Sequence, residues 1–256
     1  WREGRVKQVK KYVDRLYIIF PFEEEFFRRH GYGVTFLGNP LVDHVETWRG
    51  AAPGRETITA SMGLDARPVI ALLAGSRQQE VAKMLPQMVS VAAGFPDYQF
   101  VIAGMDHLPA ELYSDIIGTL PVTVINGHTY DLLSVAEAAL VTSGTATLEA
   151  ALFDVPQVVC YRTSPMTYTL GKRVIKVRFI SLVNLIMDRE VVRELIQNDL
   201  NQSRLHTELQ HILITGYRHG IIKRDYNELR EILGGRGASE RVAEDMLRNL
   251  REKITE

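Results

Sequence analysis

Short runs of apolar residues alternate with longer segments of helical spacing along most of the chain. Several of the runs lack polar alternation, which is typical of parallel strands covered on both faces. Apolar residues three and four apart predict helices over residues 81–93, 108–117 and 145–153. The strand runs are residues 16–20, 34–37, 69–74, 98–103, 122–125, 138–142 and 157–161. This alternation predicts an α/β protein with a Rossmann-like, doubly wound parallel sheet.

The same pattern divides the chain into parts. Residues 46–66 are rich in turn signals and poor in long apolar runs, which predicts a linker. Residues 1–45 are then the remnant of a preceding domain, and residues 67–235 form the Rossmann-like domain. Residues 236–256 predict a C-terminal helix whose apolar face needs a surface to cover, and we expect the missing N-terminal domain to provide it. The chain does not begin with methionine, so we expect a fragment of a longer protein.

Composition narrows the class of partner. Hydrophobic residues make up 46% of the 256 residues and charged residues 24%, which is ordinary for a globular protein. The formal net charge is -1, so no global electrostatic field indicates a nucleic-acid partner. The single cysteine, Cys160, excludes an intrachain disulfide, and its apolar neighbours predict a buried thiol. No run is long enough for a transmembrane helix, and no secretory signal is present.

The first candidate site follows the predicted strand at residues 69–74. Gly75 and Ser76 end the strand, and a helical pattern begins near Arg77 and Glu80. Ligands bind at the carboxyl ends of strands in open α/β sheets, where Gly75 lets the backbone approach a ligand and Arg77 can chelate phosphate oxygens. The alternative is a plain strand-to-helix turn with a serine cap and a solvated ion pair between Arg77 and Glu80. On local grounds the two interpretations are equal.

The second candidate site follows the predicted strand at residues 138–142. Ser143, Gly144, Thr145 and Ala146 lead directly into a helix that carries Glu149 in its second turn. Unpaired backbone N–H groups and the positive end of the helix dipole suit an anion such as a diphosphate. Glu149 can accept hydrogen bonds from a ribose diol, or it can simply support the helix start. Because both loops follow strands of one sheet, each loop supports the interpretation of the other as part of a ligand site.

Three further features carry weaker signals. Asn184, in the apolar run 180–186, is either a satisfied core amide or a pocket group, and local sequence favours the core. The stretch 170–178 has a basic face that suits an anionic membrane or a phosphorylated substrate, although a surface helix is the more common explanation. His128 follows a predicted strand and either contacts a ligand or is an ordinary loop histidine.

Motifs that the sequence lacks also limit the chemistry. It contains no Asp-x-Asp and no His-Glu-x-x-His, so a metal-dependent site has no support. It has no Gly-x-Gly-x-x-Gly and no Gly-x-x-x-x-Gly-Lys, which disfavours a dinucleotide oxidoreductase and a phosphate-hydrolysing motor. We therefore expect no metal and no cofactor.

Taken together, the motifs resemble those of lipid-A-disaccharide synthases. Residues 73–77 are similar to the Pro-Gly-Ser-Arg segment of that family, and residues 143–149 with 156–162 are similar to its second signature. Residues 181–186 resemble a third signature, and residues 21–23 and 38–43 resemble the end of the family's first domain. This sequence departs from the usual pattern at Asn39, where histidine is usual, and at Ala74 and Val183, where proline is usual.

The resemblance implies the C-terminal part of a two-domain GT-B glycosyltransferase, with residues 1–45 as the remnant of an acceptor-binding domain. Such an enzyme joins UDP-2,3-diacylglucosamine to 2,3-diacylglucosamine 1-phosphate with inversion and releases UDP, without a catalytic metal. The resemblance also implies a role for each candidate residue. Arg77 and the helix start at Gly144–Ala146 are expected to stabilise the departing diphosphate, Glu149 to hold ribose, and Asn184 to shape the sugar-phosphate pocket. The general base is then a carboxylate of the first domain.

The same resemblance implies a bacterial cytoplasmic enzyme attached peripherally to the inner face of the cytoplasmic membrane. We expect this chain alone to bind UDP weakly and to transfer no sugar. Two alternatives remain: another GT-B enzyme of UDP-sugars, such as a peptidoglycan N-acetylglucosaminyltransferase or a UDP-sugar epimerase, and a noncatalytic nucleotide-binding module.

Overall fold

The computed structural model describes residues 3–163 and 178–255. It divides into two compact units. We call Ala51–Tyr226 the sheet unit, and we call Trp1–Gly50 with Asn227–Glu256 the terminal unit. Residues 46–66, predicted as a linker, contain the end of one helix and the whole of a second, Arg55–Ser61.

The sheet unit is built around six parallel strands in the order β5-β4-β3-β6-β7-β8. Counted from its first strand, this is the 3-2-1-4-5-6 order of a Rossmann-like sheet, so the predicted fold class is confirmed. Its elements are α4 (Arg55–Ser61), β3 (Val69–Leu73), α5 (Gln78–Val89), β4 (Gln99–Gly104), α6 (Ala110–Ile117), β5 (Val122–Asn126), α7 (Thr129–Val135), β6 (Ala136–Thr142), α8 (Thr145–Leu152), β7 (Gln157–Tyr161), α9 (Leu182–Met187), β8 (Arg193–Ile196), α10 (Gln202–Ile212) and α11 (His219–Ile232), of which the last crosses into the terminal unit.

Burial explains why the central strands read as unbroken apolar runs. Every residue of β3 and β4 is buried, because helices cover both faces of the sheet. Each fully buried leucine or isoleucine contributes about 1.5–3 kcal/mol of transfer free energy. On the helix that follows β3, the buried residues Val81, Met84, Leu85 and Met88 recur at intervals of three and four. This packing holds the loop between β3 and α5 against a rigid support.

The edge of the sheet differs most from the sequence prediction. Strand β8, Arg193–Ile196, pairs with β7 in parallel register, with Val159 opposite Glu194. Its first two residues are charged and partly exposed, so the segment lacks the apolar run that marks the other strands. Helix α7 is only seven residues long, Thr129–Val135, and was not predicted either.

The terminal unit contains a two-stranded parallel sheet and the helices around it. Its elements are α1 (Glu3–Tyr12), β1 (Tyr17–Ile18), α2 (Phe22–Arg29), β2 (Thr35–Phe36), α3 (Pro40–Ala51) and α12 (Ala238–Thr255). Its core is the cluster of Val6, Ile18 and Phe27. Helix α12, Ala238–Thr255, lies within the segment 236–256 that was predicted to be helical. Its apolar side chains Met246, Leu247, Leu250 and Ile254 are exposed.

A carboxylate remote in sequence caps α12. The backbone N–H groups of Gly237 and Ser239 donate to Asp43 Oδ1 and Oδ2, at 2.6 and 2.8 Å. Ala238 N also donates to Asp43 Oδ1, at 3.3 Å. These groups would otherwise lie unpaired at the start of the helix, and a negative charge there is favoured by the helix dipole. Asp43 therefore joins α3 to α12 within the terminal unit.

Candidate functional site

The candidate site lies where the strand order of the sheet reverses. Strands β3 and β6 are neighbours, and the chain leaves them toward opposite ends of the sheet. Ligands of open α/β sheets bind at such a switch point, outside the carboxyl ends of the strands. The two predicted loops, which follow β3 and β6, therefore meet at one place. The pairing Leu73↔Val141 at the ends of the two strands brings them together.

A cavity of about 470 Å³ occupies this switch point. Its volume falls in the range of about 300–1,000 Å³ that is usual for small-molecule sites. Nine of the ten predicted site residues line it: Gly75, Ser76, Arg77, Glu80, Ser143, Gly144, Thr145, Ala146 and Glu149. The sequence prediction did not include the other lining residues, which are Leu73, Ala103, Met105, Thr129, Tyr130 and Thr142.

Gly75 is required by the conformation of the first loop. Its φ of +111° is one that side-chain-bearing residues rarely adopt. A Cβ at this position would lie 2.7 Å from Glu80 Cβ and 2.6 Å from Glu80 Oε2. The loop therefore turns tightly only because residue 75 has no side chain.

The Glu80 carboxylate fills the inside of this turn. Its Oε2 accepts hydrogen bonds from Ser76 N at 3.2 Å and from Arg77 N at 3.3 Å. Its Oε1 accepts from Arg77 Nη1 at 2.9 Å. The solvated ion pair and the phosphate-binding arginine, which were alternatives in the sequence, are thus both compatible with the structure. The guanidinium carries five N–H donors, and the bond to Glu80 uses one nitrogen, so the exposed Arg77 side chain keeps donors for a ligand.

The second loop presents the start of α8 to the cavity. Gly144, Thr145 and Ala146 all line the cavity, and the N-cap residue of α8, Gly144, has no side chain with which to cap the helix. The first N–H groups of a helix have no partner within it, and the helix dipole adds positive potential there. Behind the loop, Thr147 Oγ1 donates to Gly144 O at 2.8 Å, which holds the first turn in place.

Tyr130 and Glu149 form a hydrogen-bonded pair in the cavity wall. Tyr130 Oη donates to Glu149 Oε1 at 3.1 Å, and its ring lies 5.0 Å from the ring of Phe153. Burial raises the pKa of Tyr130 above its ordinary value, and the charge and hydrogen bond of Glu149 raise it further. The phenol therefore stays protonated near neutral pH and remains a donor to the carboxylate. Glu149 was predicted at this site from the sequence, whereas Tyr130 was not.

Thr142 has an unusual hydroxyl. The residue is 7% exposed, it lines the cavity, and its Oγ1 has no hydrogen-bond partner among the described residues. A buried hydroxyl without a partner costs about 1–3 kcal/mol, so such groups are rare without a functional reason. Its position as the last residue of β6, directly before the predicted loop, was the available signal in the sequence.

Asn184 lies behind the second loop, outside the residues that line the cavity. It is fully buried. Its Oδ1 accepts from Val191 N and Val192 N, at 2.8 and 3.0 Å. Its Nδ2 donates to Val192 O at 2.8 Å and to Glu194 Oε1 at 2.9 Å. The amide is therefore satisfied by protein groups, as in the core alternative, and direct contact with a sugar stays a prediction.

The remaining sequence candidates lie elsewhere. His128 is exposed, and its Nδ1 lies 2.7 Å from Asp131 Oδ2. Cys160 is buried, as predicted, and burial raises the pKa of its thiol. The basic stretch 170–178 lies outside the described residues except for its last residue.

Two features are absent from the described part of the chain. Within residues 3–163 and 178–255, no group of three or more histidine, cysteine, aspartate or glutamate side chains is arranged to hold a metal ion. No helix in the same two segments is long and apolar enough to cross a membrane.

Comparison with protein families gives a match over nearly the whole chain. Residues 1–247 match the family described as lipid-A-disaccharide synthetase. The lipid-A-disaccharide synthase of Geobacter sulfurreducens is 38% identical over 261 residues, covering 99% of this chain and 67% of that protein. The enzyme of Myxococcus xanthus is 37% identical over 254 residues, covering 96% of this chain and 65% of that protein. The chain thus spans about two thirds of the length of these relatives.

Solved structures with low sequence identity share the fold. A UDP-GlcNAc 2-epimerase from Neisseria meningitidis, bound to UDP-GlcNAc, superposes with a TM-score of 0.63 at 14% identity, covering 97% of this chain and 65% of that one. The S. aureus MnaA-UDP co-structure superposes with a TM-score of 0.63 at 16% identity, covering 96% and 63%. At these identities the likeness concerns the fold alone.

Proposed function

This chain belongs to the lipid-A-disaccharide synthase family, and we propose that it forms the donor-binding part of such a glycosyltransferase. The reaction joins UDP-2,3-diacylglucosamine to 2,3-diacylglucosamine 1-phosphate with inversion and releases UDP. In this proposal residues 1–45 belong to the acceptor-binding half, and the exposed apolar face of α12 packs toward that half.

One observation carries the proposal. The uncapped start of α8 and the Arg77 side chain line the same cavity at the switch point of the sheet. Neither feature alone specifies a ligand, since helix starts and surface arginines are common. Their convergence supplies backbone N–H donors from one loop and a guanidinium from the other, which suits the diphosphate of a nucleotide sugar.

The chemistry follows from where charge develops. The acceptor hydroxyl oxygen forms a bond to the anomeric carbon, and the bond from that carbon to the UDP diphosphate breaks, with its electron pair moving to the diphosphate oxygen. Donors that are in place before the reaction stabilise this charge most effectively, because they need no reorganisation. We assign this role to the first turn of α8 and to Arg77. The proton of the acceptor hydroxyl passes to a carboxylate in the acceptor-binding half.

The size of the cavity is consistent with binding the polar head of the donor and leaving its apolar tails outside. About 470 Å³ accommodates a nucleotide head group and not two acyl chains in addition. We infer that the acyl chains extend beyond the described cavity, toward a membrane surface to which the enzyme is attached peripherally on the cytoplasmic side. Glu149, held by Tyr130, is the candidate for contact with the ribose hydroxyls.

The experiment that tests the nucleotide site is a calorimetric titration of UDP into the chain and into Arg77→Ala. Loss of charge-assisted hydrogen bonds is worth about 1.5–3 kcal/mol, so we expect UDP affinity to fall about tenfold or more. Arg67→Ala is the matched control, because Arg67 is also exposed and also paired with a nearby carboxylate, Asp65, outside the residues lining the cavity. Equal UDP affinity in both variants, or no binding to a well-folded parent chain, would contradict the proposed site.

A further inference from the structure

The carboxylate of Glu194, on edge strand β8, gathers hydrogen bonds from one short segment of chain. Its Oε2 accepts from Ile180 N at 3.0 Å. Its Oε1 accepts from Ser181 N at 2.9 Å, from Ser181 Oγ at 2.7 Å and from Asn184 Nδ2 at 2.9 Å. Ser181 and Asn184 are fully buried. A carboxylate is an acceptor with two oxygens and no donor, so it suits a cluster made entirely of donors.

This segment in turn holds the second loop of the cavity. Ser143 Oγ donates to Ile180 O at 2.8 Å. Leu182 N donates to Thr147 Oγ1 at 3.3 Å, and the same hydroxyl donates to Gly144 O. Two hydrogen bonds therefore connect the segment 180–182, whose first two residues Glu194 binds, to the loop and the first turn of α8.

We propose that Glu194 is a positioning residue for the diphosphate-binding loop, acting through Ile180 on Ser143 and through Leu182, next to the bound Ser181, on Thr147. The inference rests on the proposed function, because it assigns the loop a ligand. Charge-assisted hydrogen bonds are about twice as strong as neutral ones, so a carboxylate fixes the segment more firmly than an amide. A rigid segment keeps the N–H groups of α8 aimed at the cavity before the nucleotide arrives.

The test is hydrogen–deuterium exchange of the whole chain, without nucleotide, in Glu194→Gln. Ile180 N bonds to both carboxylate oxygens, at 3.2 and 3.0 Å. Glutamine keeps the size of the side chain but replaces one of these acceptors with an NH₂ donor, so Ile180 N keeps at most one of its two bonds. We expect residues 142–148 to exchange about fivefold faster, which corresponds to one lost hydrogen bond. Strand β4, Gln99–Gly104, serves as the internal reference and keeps its exchange rate. Unchanged exchange at residues 142–148, or an equal increase in β4, overturns the proposal.

Two further variants sharpen the result. Glu190→Gln removes the same charge four residues away, where the carboxylate pairs with Arg193 at the surface, and leaves residues 142–148 unaffected. Ser143→Ala cuts the link to Ile180 without touching Glu194 and speeds exchange of the same residues. In the double variant, Ser143→Ala with Glu194→Gln, we expect the increase in exchange to be smaller than the sum of the two single effects, in free-energy terms. Full additivity overturns the route through Ser143.

UDP titration separates this inference from the proposed function. If the parent binds UDP and Glu194→Gln weakens binding about fivefold, both stand. If the parent chain binds no UDP while residues 142–148 still loosen in Glu194→Gln, the proposed function fails and the positioning role stands. If UDP binds both proteins equally and the loop exchange is unchanged, the positioning role fails alone.

Discussion

Thr142 and Thr147 are two threonines of the same loop region with opposite hydrogen-bonding states. Thr147 is fully buried, and its hydroxyl donates to Gly144 O and accepts from Leu182 N. The Thr142 hydroxyl is buried at the cavity wall with no partner in the described structure. The Thr147 hydroxyl is therefore part of the loop's support, whereas the Thr142 hydroxyl is available to a ligand.

This contrast predicts opposite effects of one substitution. Thr142→Val removes an unsatisfied hydroxyl from a strand, so we expect the free energy of unfolding to rise by about 1 kcal/mol. Thr147→Val breaks satisfied hydrogen bonds and lowers the free energy of unfolding by about 1–3 kcal/mol. Urea denaturation followed by far-ultraviolet circular dichroism measures both. A destabilised Thr142→Val protein contradicts the assignment, and a loss of UDP affinity in that variant identifies the hydroxyl as a ligand contact.

Among the elements, helix α12 depends on a cap from another helix. The Asp43 carboxylate binds the N–H groups that begin α12 and is partly buried. Burial alone would raise the pKa of Asp43, but the hydrogen bonds from Ser239 and Gly237 outweigh it, and the pKa lies below that of an ordinary aspartate. The cap therefore favours the ionised form of the carboxyl in the folded state.

The sign of the pH dependence follows from this lowered pKa. The cap contributes fully above the pKa of an unfolded aspartate, about 4, and its contribution is lost as pH falls through the lower folded pKa. Asp43→Ala should therefore lower the free energy of unfolding by about 1–2 kcal/mol at pH 7 and by less at pH 3. Asp43→Asn, which keeps an acceptor oxygen, should cost less at pH 7.

Tryptophan fluorescence provides the measurement for these variants. Trp48, one of the two tryptophans of the sequence, lies in α3 of the terminal unit, so the change in its fluorescence along a denaturant curve reports on that unit. Far-ultraviolet circular dichroism, dominated by the larger sheet unit, is the control signal. A loss in Asp43→Ala that is equally large at pH 3 and pH 7 contradicts the role of the charge.

On the scale of the whole molecule, our proposal assigns the donor site of a transferase to this chain. It spans about two thirds of the length of the relatives it matches. We place the general base in the acceptor-binding half, so the purified chain should bind UDP and form no disaccharide from UDP-2,3-diacylglucosamine and 2,3-diacylglucosamine 1-phosphate. A radiolabelled donor assay checks this, with a longer relative as positive control. Any disaccharide above the enzyme-free background contradicts the proposed location of the base.

Much of the fold was predictable from the order of residues because its signals are local. The bounds of β7 follow from a buried apolar run, and the structure has them as predicted. Helix α12 follows from helical spacing and lies within the predicted segment 236–256. The two cavity loops were predictable for the same reason, since each directly follows a strand. Strand β8 was missed because an edge strand with two charged residues is stabilised by pairing with β7 rather than by an apolar run.

Other features depend on contacts between residues far apart in the chain. The hydrogen bond between Ser143 and Ile180 joins residues 37 positions apart, and the one between Asp43 and Gly237 joins residues 194 positions apart. No local pattern encodes such pairs, because a hydrogen bond depends on where the sheet brings two backbones together. Local sequence thus determines the central strands, the helices that follow β3, β4 and β6, and the two loops of the site, through propensity and periodicity. The folded structure places Asn184 in the support of the site and Tyr130 in its wall, because packing decides which polar groups meet protein and which line the cavity.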